Sequence, residues 1–315
     1  MKKLVLFAII FGVILLVAGA AVAAVGYKYY RVDKMVDNTI ELTELYGNID
    51  IKLKTTNVQL IKSAEPMTKL VIKETKKVIH NAEVSDNTLK ITVDDQRKWF
   101  EKIFNFNDYK IKVDAYIPEA NFESLVINSE TGDITIPADF GFDNAKIKLS
   151  TGNVNFTGNV SKNLEVVTST GNINIGDVKP QNLIAKASTG NIVLNKVEVE
   201  EKITINGSTG NATLNDSKSK DLSINLSTGN IKLINYVASN DMELIVSTGN
   251  IKFENSDANT IYAKASTGDI KGTLLTGKTF DAESDTGKVT VPLGSTGGLC
   301  KLRTDTGRIL IELAE

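Results

Sequence analysis

The sequence contains very few of the residues that build disulfides, metal sites and charged binding surfaces. It has one cysteine, Cys300, and one histidine, His80. A single cysteine excludes a disulfide within the chain, and these two residues alone cannot form a zinc site of Cys and His ligands. The 36 basic and 38 acidic side chains leave a net charge of −2, too little for a field that would recruit nucleic acid. We expect no cofactor, no metal and no nucleic-acid partner.

Proline and aromatic residues are also scarce, which limits the fold. The chain has five prolines and 6% aromatic residues, whereas Thr, Asn, Val and Ile are abundant. This mixture is typical of short strands joined by polar turns. We therefore predict an all-β protein, and its 315 residues are enough for two domains.

One long hydrophobic run stands at the N-terminus. Leu4 to Tyr27 is 24 residues long and carries no charge, and a helix of that length covers the roughly 30 Å hydrocarbon core of a membrane. Lys2 and Lys3 precede the run, and aromatic and basic residues follow it. We predict that residues 1–31 are a single-pass membrane anchor, with a transmembrane helix at about 4–27 and an extracytoplasmic body. The alternative is a cleaved signal peptide, because Ala21-Val22-Ala23 resembles a cleavage site.

The rest of the chain is dominated by one short repeat, which aligns on a Thr-Gly pair. The pair occurs ten times, at intervals of nineteen or twenty residues. The glycines are Gly132, Gly152, Gly171, Gly190, Gly210, Gly229, Gly249, Gly268, Gly287 and Gly307. Positions −7, −5, +2 and +4 from the glycine are apolar, as in Leu164, Val166, Ile173 and Ile175. Each repeat therefore reads as a strand, a sharp turn and a second strand.

A unit of this length cannot bury its own apolar face. Stacking such units about 4.8 Å apart buries a continuous row of side chains. We therefore predict a parallel β-solenoid, or β-helix, of 19–20-residue repeats over residues 119–315. The repeat is too short for a propeller blade, which needs about 40–50 residues, and it lacks the pattern of leucine-rich repeats, so both of these folds are excluded. The coil length allows two or three strands per turn.

The residues around each glycine give further expectations. Glycine permits a left-handed corner, and Asn follows it in six repeats because Asn is the next most tolerant residue there. Seven serines before the Thr-Gly pair should form a column whose hydroxyls bond along the stack: Ser150, Ser169, Ser188, Ser208, Ser227, Ser247 and Ser266. An alternative is that the Ser/Thr/Asn stripe binds an extended polysaccharide. In the last two repeats Asp285, Asp305, Lys288 and Arg308 are expected to protect an exposed end strand from association.

Residues 32–118 lack the strict repeat, and we predict an N-terminal β region that caps the solenoid with degenerate coils. Gly47-Asn48-Ile49 echoes the repeat, and Leu70-Val71-Ile72 resembles a strand. This region also holds a cluster of aromatic residues: Trp99, Phe100, Phe104, Phe106 and Tyr109. The cluster suggests either the core of the cap or a loop that docks on lipid or a partner.

These motifs resemble a known family. The run from Leu125 to Ile134, the repeated Ser-Thr-Gly-Asn-Ile cores and the lead-in from Tyr109 to Pro118 are similar to the bacterial putative-adhesin family of β-strand-repeat proteins, in its membrane-anchored type. The resemblance covers about Thr39 to the C-terminus. It implies a cell-envelope protein of adhesive or envelope-sensing role, and it brings no catalytic residues.

Three classes of function are open on the sequence. The first is a surface adhesin or envelope interaction module that binds a cell-envelope glycan or an envelope protein. The second is an accessory regulator in an envelope-stress response circuit. The third is a β-helix polysaccharide lyase or hydrolase, which needs paired carboxylates or bound calcium in a cleft. Because the acidic residues are scattered among the repeats, we expect no enzyme, and Cys300 at an apolar position should be buried.

Overall fold

A computed structural model describes residues 2–30, 34–98 and 111–314 of the chain. Helix α1 extends over Lys2–Tyr30, and the side chains of its residues 10–24 are described. Among the described residues, no helix has the length and hydropathy that crossing a membrane requires. The anchor at Leu4 to Tyr27 stays a prediction, and the aromatic cluster at residues 99–109 lies outside the described residues.

The described residues after the helix form β-strands and the turns and loops that join them. The strands are β1 (Met35–Leu42), β2 (Asn48–Thr55), β3 (Asn57–Lys62), β4 (Thr68–Thr75), β5 (Val78–Ser85), β6 (Thr88–Asp95), β7 (Lys112–Ile117), β8 (Asn121–Thr131), β9 (Ile134–Ile136), β10 (Gly141–Thr151), β11 (Val154–Phe156), β12 (Asn159–Thr170), β13 (Ile173–Gly176), β14 (Asn182–Thr189), β15 (Ile192–Asn195), β16 (Lys202–Thr209), β17 (Ala212–Asn215), β18 (Lys218–Ser219), β19 (Asp221–Thr228), β20 (Ile231–Ile234), β21 (Val237–Thr248), β22 (Ile251–Thr267), β23 (Ile270–Leu274), β24 (Thr279–Ser284), β25 (Val289–Thr290), β26 (Leu299–Thr306) and β27 (Ile309–Leu313).

The repeats stack as a parallel β-solenoid, which confirms the predicted fold class. In a central coil, β14 runs up to the Thr-Gly corner and β15 leaves it, and each pairs in parallel with the same strand of the next coil, β16 and β17. A short third side, with the bridge between Glu198 and Lys218, leads back to the next long strand. A coil therefore has two main strands and a third, mostly irregular side.

The core is a continuous column between these three sides, and the predicted inward positions are correct. Leu164, Val166, Ile173 and Ile175 are each at most 1% exposed. Corresponding positions in the inner coils are buried in the same way, whereas Val289 in the outermost coil is exposed, and the third side adds residues such as Val197. The period-two alternation of the strands thus places one file of apolar side chains inside and polar ones outside.

Two constraints explain why glycine holds the corner. Gly229 has a φ of +142°, which opposes any side chain. A Cβ built on Gly229 would also lie 1.9 Å from the carbonyl oxygen of Gly210 in the preceding coil. The glycines therefore form a column in which each coil rests on the backbone of the one before it.

The explanation of the asparagines by left-handed backbone is wrong. None of the asparagines after these glycines has a positive φ. Instead, Asn211 donates its backbone N–H and its side-chain Nδ2–H to Oδ1 of Asn191, at 2.9 and 3.1 Å. Left-handed non-glycine residues occur six positions after the glycine, at a second corner, as at Lys196 (φ 52°).

The last two repeats do not stack in sequence order. Strand β26 lies between β22 and β24 and pairs in parallel with both. The Gly307 coil therefore lies inside, and the coil of β24 and β25 is outermost. Arg308 bonds to Asp269 at 3.0 Å in the neighbouring coil, so its predicted role at an end strand is wrong, whereas Asp285 and Lys288 are exposed on the outermost coil.

The N-terminal end has a similar arrangement. Strand β2 lies between β6 and β8, so the first coil in sequence is covered by a later one. Strands β1, β4 and β5 add antiparallel pairings to this end. Gly47 does not occupy the corner that its resemblance to the repeat suggests. Thr55 pairs with Thr131, so Thr56 takes the corner position next to Gly132.

Candidate functional site

The Thr-Gly corner presents two columns of hydroxyl groups to solvent. The serines before the pair are exposed or, at Ser266, half-buried, and the threonines are exposed. Within residues 34–98 and 111–314, none of the seven serine hydroxyls forms a protein hydrogen bond, and among the ten threonines only Thr286 does. The predicted serine ladder is therefore wrong. The asparagine side chains bond from coil to coil, and the hydroxyls beside them stay available.

This corner stripe, defined as Ser-Thr-Gly-Asn in the coils of Gly152 to Gly249, contains no charged residue. Its hydroxyls repeat at the coil spacing of about 4.8 Å. The asparagine ladder fixes the stripe, since each Oδ1 accepts from the next coil at 2.8–3.2 Å, as from Asn230 to Asn211 and from Asn172 to Asn153. The result is a regular, neutral row of donors and acceptors on an ordered backbone.

The second concentration of polar chemistry is buried at the N-terminal end. His80 on β5 lies between Glu74 of β4 and Thr56 at the corner. Its Nδ1 is 2.9 Å from Oε2 of Glu74 and its Nε2 is 2.9 Å from the hydroxyl of Thr56. A carboxylate only accepts, so Nδ1 carries the proton and Nε2 accepts from the threonine. Asn38 on β1 donates to the other oxygen of Glu74 at 3.1 Å.

The order hydroxyl, imidazole, carboxylate is that of a nucleophile, a base and an orienting acid. Thr56 and His80 are each 1% exposed and Glu74 is 6% exposed, so a substrate has no access to the hydroxyl. Burial lowers the pKa of His80 and outweighs the hydrogen bond that His80 donates to Glu74, which raises this pKa. Thr56, His80 and Glu74 are called the His80 cluster. The cluster is buried where the glycine column ends, at the N-terminal end of the solenoid.

Sequence reasoning missed the role of His80, although one signal was present. His80 alternates with Val78 and Ala82 along β5, which places it on the inward face of the strand. An inward histidine needs hydrogen-bond partners. Its partners come from two other segments, and their identity is not encoded in local spacing.

A buried ion pair lies at the opposite end. Nζ of Lys278 is 2.7 Å from Oδ1 of Asp257, and both side chains are at most 7% exposed. Lys278 also donates to the carbonyl of Ala258 and to the hydroxyl of Thr276. Cys300 is buried nearby, as predicted, and its burial raises the thiol pKa to about 12.

The fold is similar to several solved structures of low sequence identity. A putative adhesin from Bacteroides fragilis is 14% identical, with 89% of this chain and 97% of that chain covered and a TM-score of 0.38. A putative adhesin and a putative lipid binding protein from Parabacteroides distasonis are each 16% identical, with coverages of 88% and 97% and a TM-score of 0.44. Since every one of these TM-scores is below 0.5, they say nothing about what this chain binds.

Comparison with curated proteins gives no significant match. A family model, in contrast, matches residues 46–236, which is more than half of the chain and includes the His80 cluster and the central coils. The expected membership in a β-strand-repeat family of unknown function is confirmed. The chain belongs to the Toastrack family, DUF4097.

Proposed function

We propose that this protein is a non-enzymatic interaction module of the cell envelope, an adhesin in the broad sense, that binds an elongated polar polymer along its solenoid. The observation that carries the proposal is the corner stripe, in which exposed serine and threonine hydroxyls lack protein partners over consecutive coils. Such a row offers both donors and acceptors at a regular interval. A cell-envelope glycan, rich in hydroxyls, is the partner that this chemistry favours, and an envelope protein is the second.

Rigidity supports this proposal. The glycine contacts and the asparagine ladder hold each coil on its neighbour, so the backbone that carries the hydroxyls is ordered before a ligand arrives. Ordering side chains on binding costs about 0.5–1.5 kcal/mol for each mobile one. A row of weak hydrogen bonds therefore gives more affinity on this scaffold than on a mobile loop.

We also propose that α1 tethers the module to the membrane with the body outside. The support is the uncharged run from Leu4 to Tyr27 and its basic and aromatic flanks. The full-length protein should remain in membrane pellets through carbonate washing, and protease added to intact protoplasts should remove the body. Protection of the body from protease would overturn the orientation, and release of a form starting near Ala24 would favour cleavage. The role in an envelope-stress circuit stays a prediction.

The binding proposal is tested by sedimenting the full-length protein, in detergent, with purified cell-wall material. Thr170, Thr189 and Thr209 are changed together to valine, which keeps shape and strand propensity and removes three hydroxyls. Loss of three neutral hydrogen bonds should weaken binding by about tenfold or more. The matched control changes Thr135, Thr204 and Thr213, half-buried threonines on the flat faces, and should bind like the wild type. Equal binding by both variants would exclude the corner stripe as the binding surface.

A further inference from the structure

A recess lies at a different corner, where the third side of one coil leads into the first strand of the next. Strands β8, β10 and β12 begin side by side there. Gly141 pairs with Asn121 on one side and Asn159 on the other. Because Gly141 has no side chain, a gap lies between Asn121 and Asn159, whose backbones are two coil spacings apart, and the carboxamide of Asn121 leans toward it, with its Oδ1 2.7 Å from where a Cβ on Gly141 would lie.

The gap opens a cavity of about 350 Å³ with an apolar floor. The floor is formed by Phe122, Phe142 and Val160, which belong to the core. The two phenylalanine rings are stacked with centroids 5.8 Å apart. They are 5% and 4% exposed, so only a small part of each residue is accessible from the recess.

The rim is polar and electrically balanced. In the described part of the chain, neither Asn121 nor Asn159 has a protein partner for its side-chain amide. Asp143 accepts from Ser161 and Lys162 at 2.8 and 2.9 Å, and the hydrogen bond from Lys162 is the largest cause that holds its carboxyl pKa low.

Lys179, also on the rim, is paired with Glu198 at 3.2 Å. Each charge on the rim therefore has its counter-charge, and the groups left without a partner are neutral amides.

We infer that this recess is a subsite for one neutral sugar residue of a glycan chain. The inference rests on the proposed function and adds a second contact point for a glycan, separate from the corner stripe. A sugar ring presents C–H groups toward an apolar floor and hydroxyls at its edge, and a carboxamide both donates and accepts. The cavity volume is near the lower limit of small-molecule sites, about 300–1,000 Å³. A polyanionic chain would find no unpaired cation here.

Gly141 provides a sharp test because its backbone tolerates a side chain. It has no positive φ, and the closest atom to an added Cβ is the movable Oδ1 of Asn121, at 2.7 Å. Gly141→Leu therefore fills the recess without straining the coil. Gly176→Leu is the matched control, since the nearest atom to its Cβ would be 3.6 Å away and it is distant from the recess.

The full-length protein is titrated calorimetrically with cellohexaose, hexa-N-acetylchitohexaose and hexagalacturonic acid. A neutral hexasaccharide should bind, Gly141→Leu should reduce its affinity at least tenfold, and Asn121→Ala or Asn159→Ala should reduce it by about three- to tenfold. Gly176→Leu should leave it unchanged. Wild-type affinity in Gly141→Leu, preference for the anionic chain, or no binding of either neutral chain would overturn the inference. If the recess inference failed but the Thr170, Thr189 and Thr209 variant still lost binding in cell-wall sedimentation, the proposed function would remain supported.

Discussion

Substitution of Gly229 by alanine tests whether the glycine column sets the stacking of coils. The φ of +142° costs an L-residue about 1–3 kcal/mol. The new Cβ would also lie 1.9 Å from the carbonyl oxygen of Gly210, a backbone atom that cannot rotate away, and relief of such overpacking costs about 1–3 kcal/mol more. We expect a total of about 4 kcal/mol, felt mainly by the adjacent coils because each coil contacts its neighbours.

Hydrogen exchange measures this effect coil by coil, which a single unfolding midpoint does not, because long repeat arrays depart from two-state behaviour. Protection should fall most at residues 221–233 and least in distant coils. Gly176→Ala is the control: its Cβ would meet nothing closer than 3.6 Å, and it has no positive φ. This control should be neutral or slightly stabilising. Equal loss of protection in both variants would refute the role of the column.

Two further predictions concern burial. Leu226→Asp should lower the free energy of unfolding by several kcal/mol, because Leu226 is 2% exposed and a carboxylate there has no partner. Asn225 is exposed, so Asn225→Asp should change the free energy of unfolding by less than about 0.5 kcal/mol. Urea denaturation measures both changes, and equal effects would contradict the assignment of Leu226 to the inward face and Asn225 to the outward face. Because burial lowers the pKa of His80, its contribution to stability is complete above about pH 6.5 and is lost as the pH falls further. Protection of β4 and β5 should therefore decrease from pH 7 to 5, and His80→Phe should flatten that dependence.

Much of the solenoid follows from local pattern. The alternation around Leu164 and Val166 fixes which side chains face inward, and the spacing of glycines fixes the length of a coil. The pattern also identifies the corner, since glycine recurs where only glycine fits. These features depend on residues close in sequence, and each one is repeated ten times.

The reason for a recurring residue is harder to read from sequence. The sequence pattern predicts a backbone role for Asn191 and Asn211, but the two residues bond to each other from coil to coil. The hydrogen bond joins residues twenty positions apart, so it is visible only once the stacking register is known. For the same reason the sequence could not distinguish bonded serines from free ones, nor show that Gly141 leaves a recess.

The order of coils at the ends was also beyond the sequence. Repeats with similar apolar faces can stack in any order. The alternation of apolar and polar residues therefore does not determine which position in the stack each repeat occupies. The connections between strands determine this order. The connection from β23 to β24, called the crossing, passes over the position in the stack that β26 occupies, between β22 and β24. Lys278 lies in that connection, and its ammonium group bonds to Asp257 and to the carbonyl of Ala258. We infer that this buried pair fixes the crossing.

Lys278→Met should therefore destabilise the C-terminal coils specifically. It leaves Asp257, which is 5% exposed, without its counter-charge, and breaking a buried pair in this way costs about 3–5 kcal/mol. Lys271→Met is the control, because Lys271 is a half-exposed lysine 3.9 Å from Asp269 and such a pair contributes at most about 1 kcal/mol. Hydrogen exchange should show lost protection in β24 and β26 for Lys278→Met, with the central coils unchanged. If the two variants behaved alike, the crossing would be held by the apolar core and not by the ion pair.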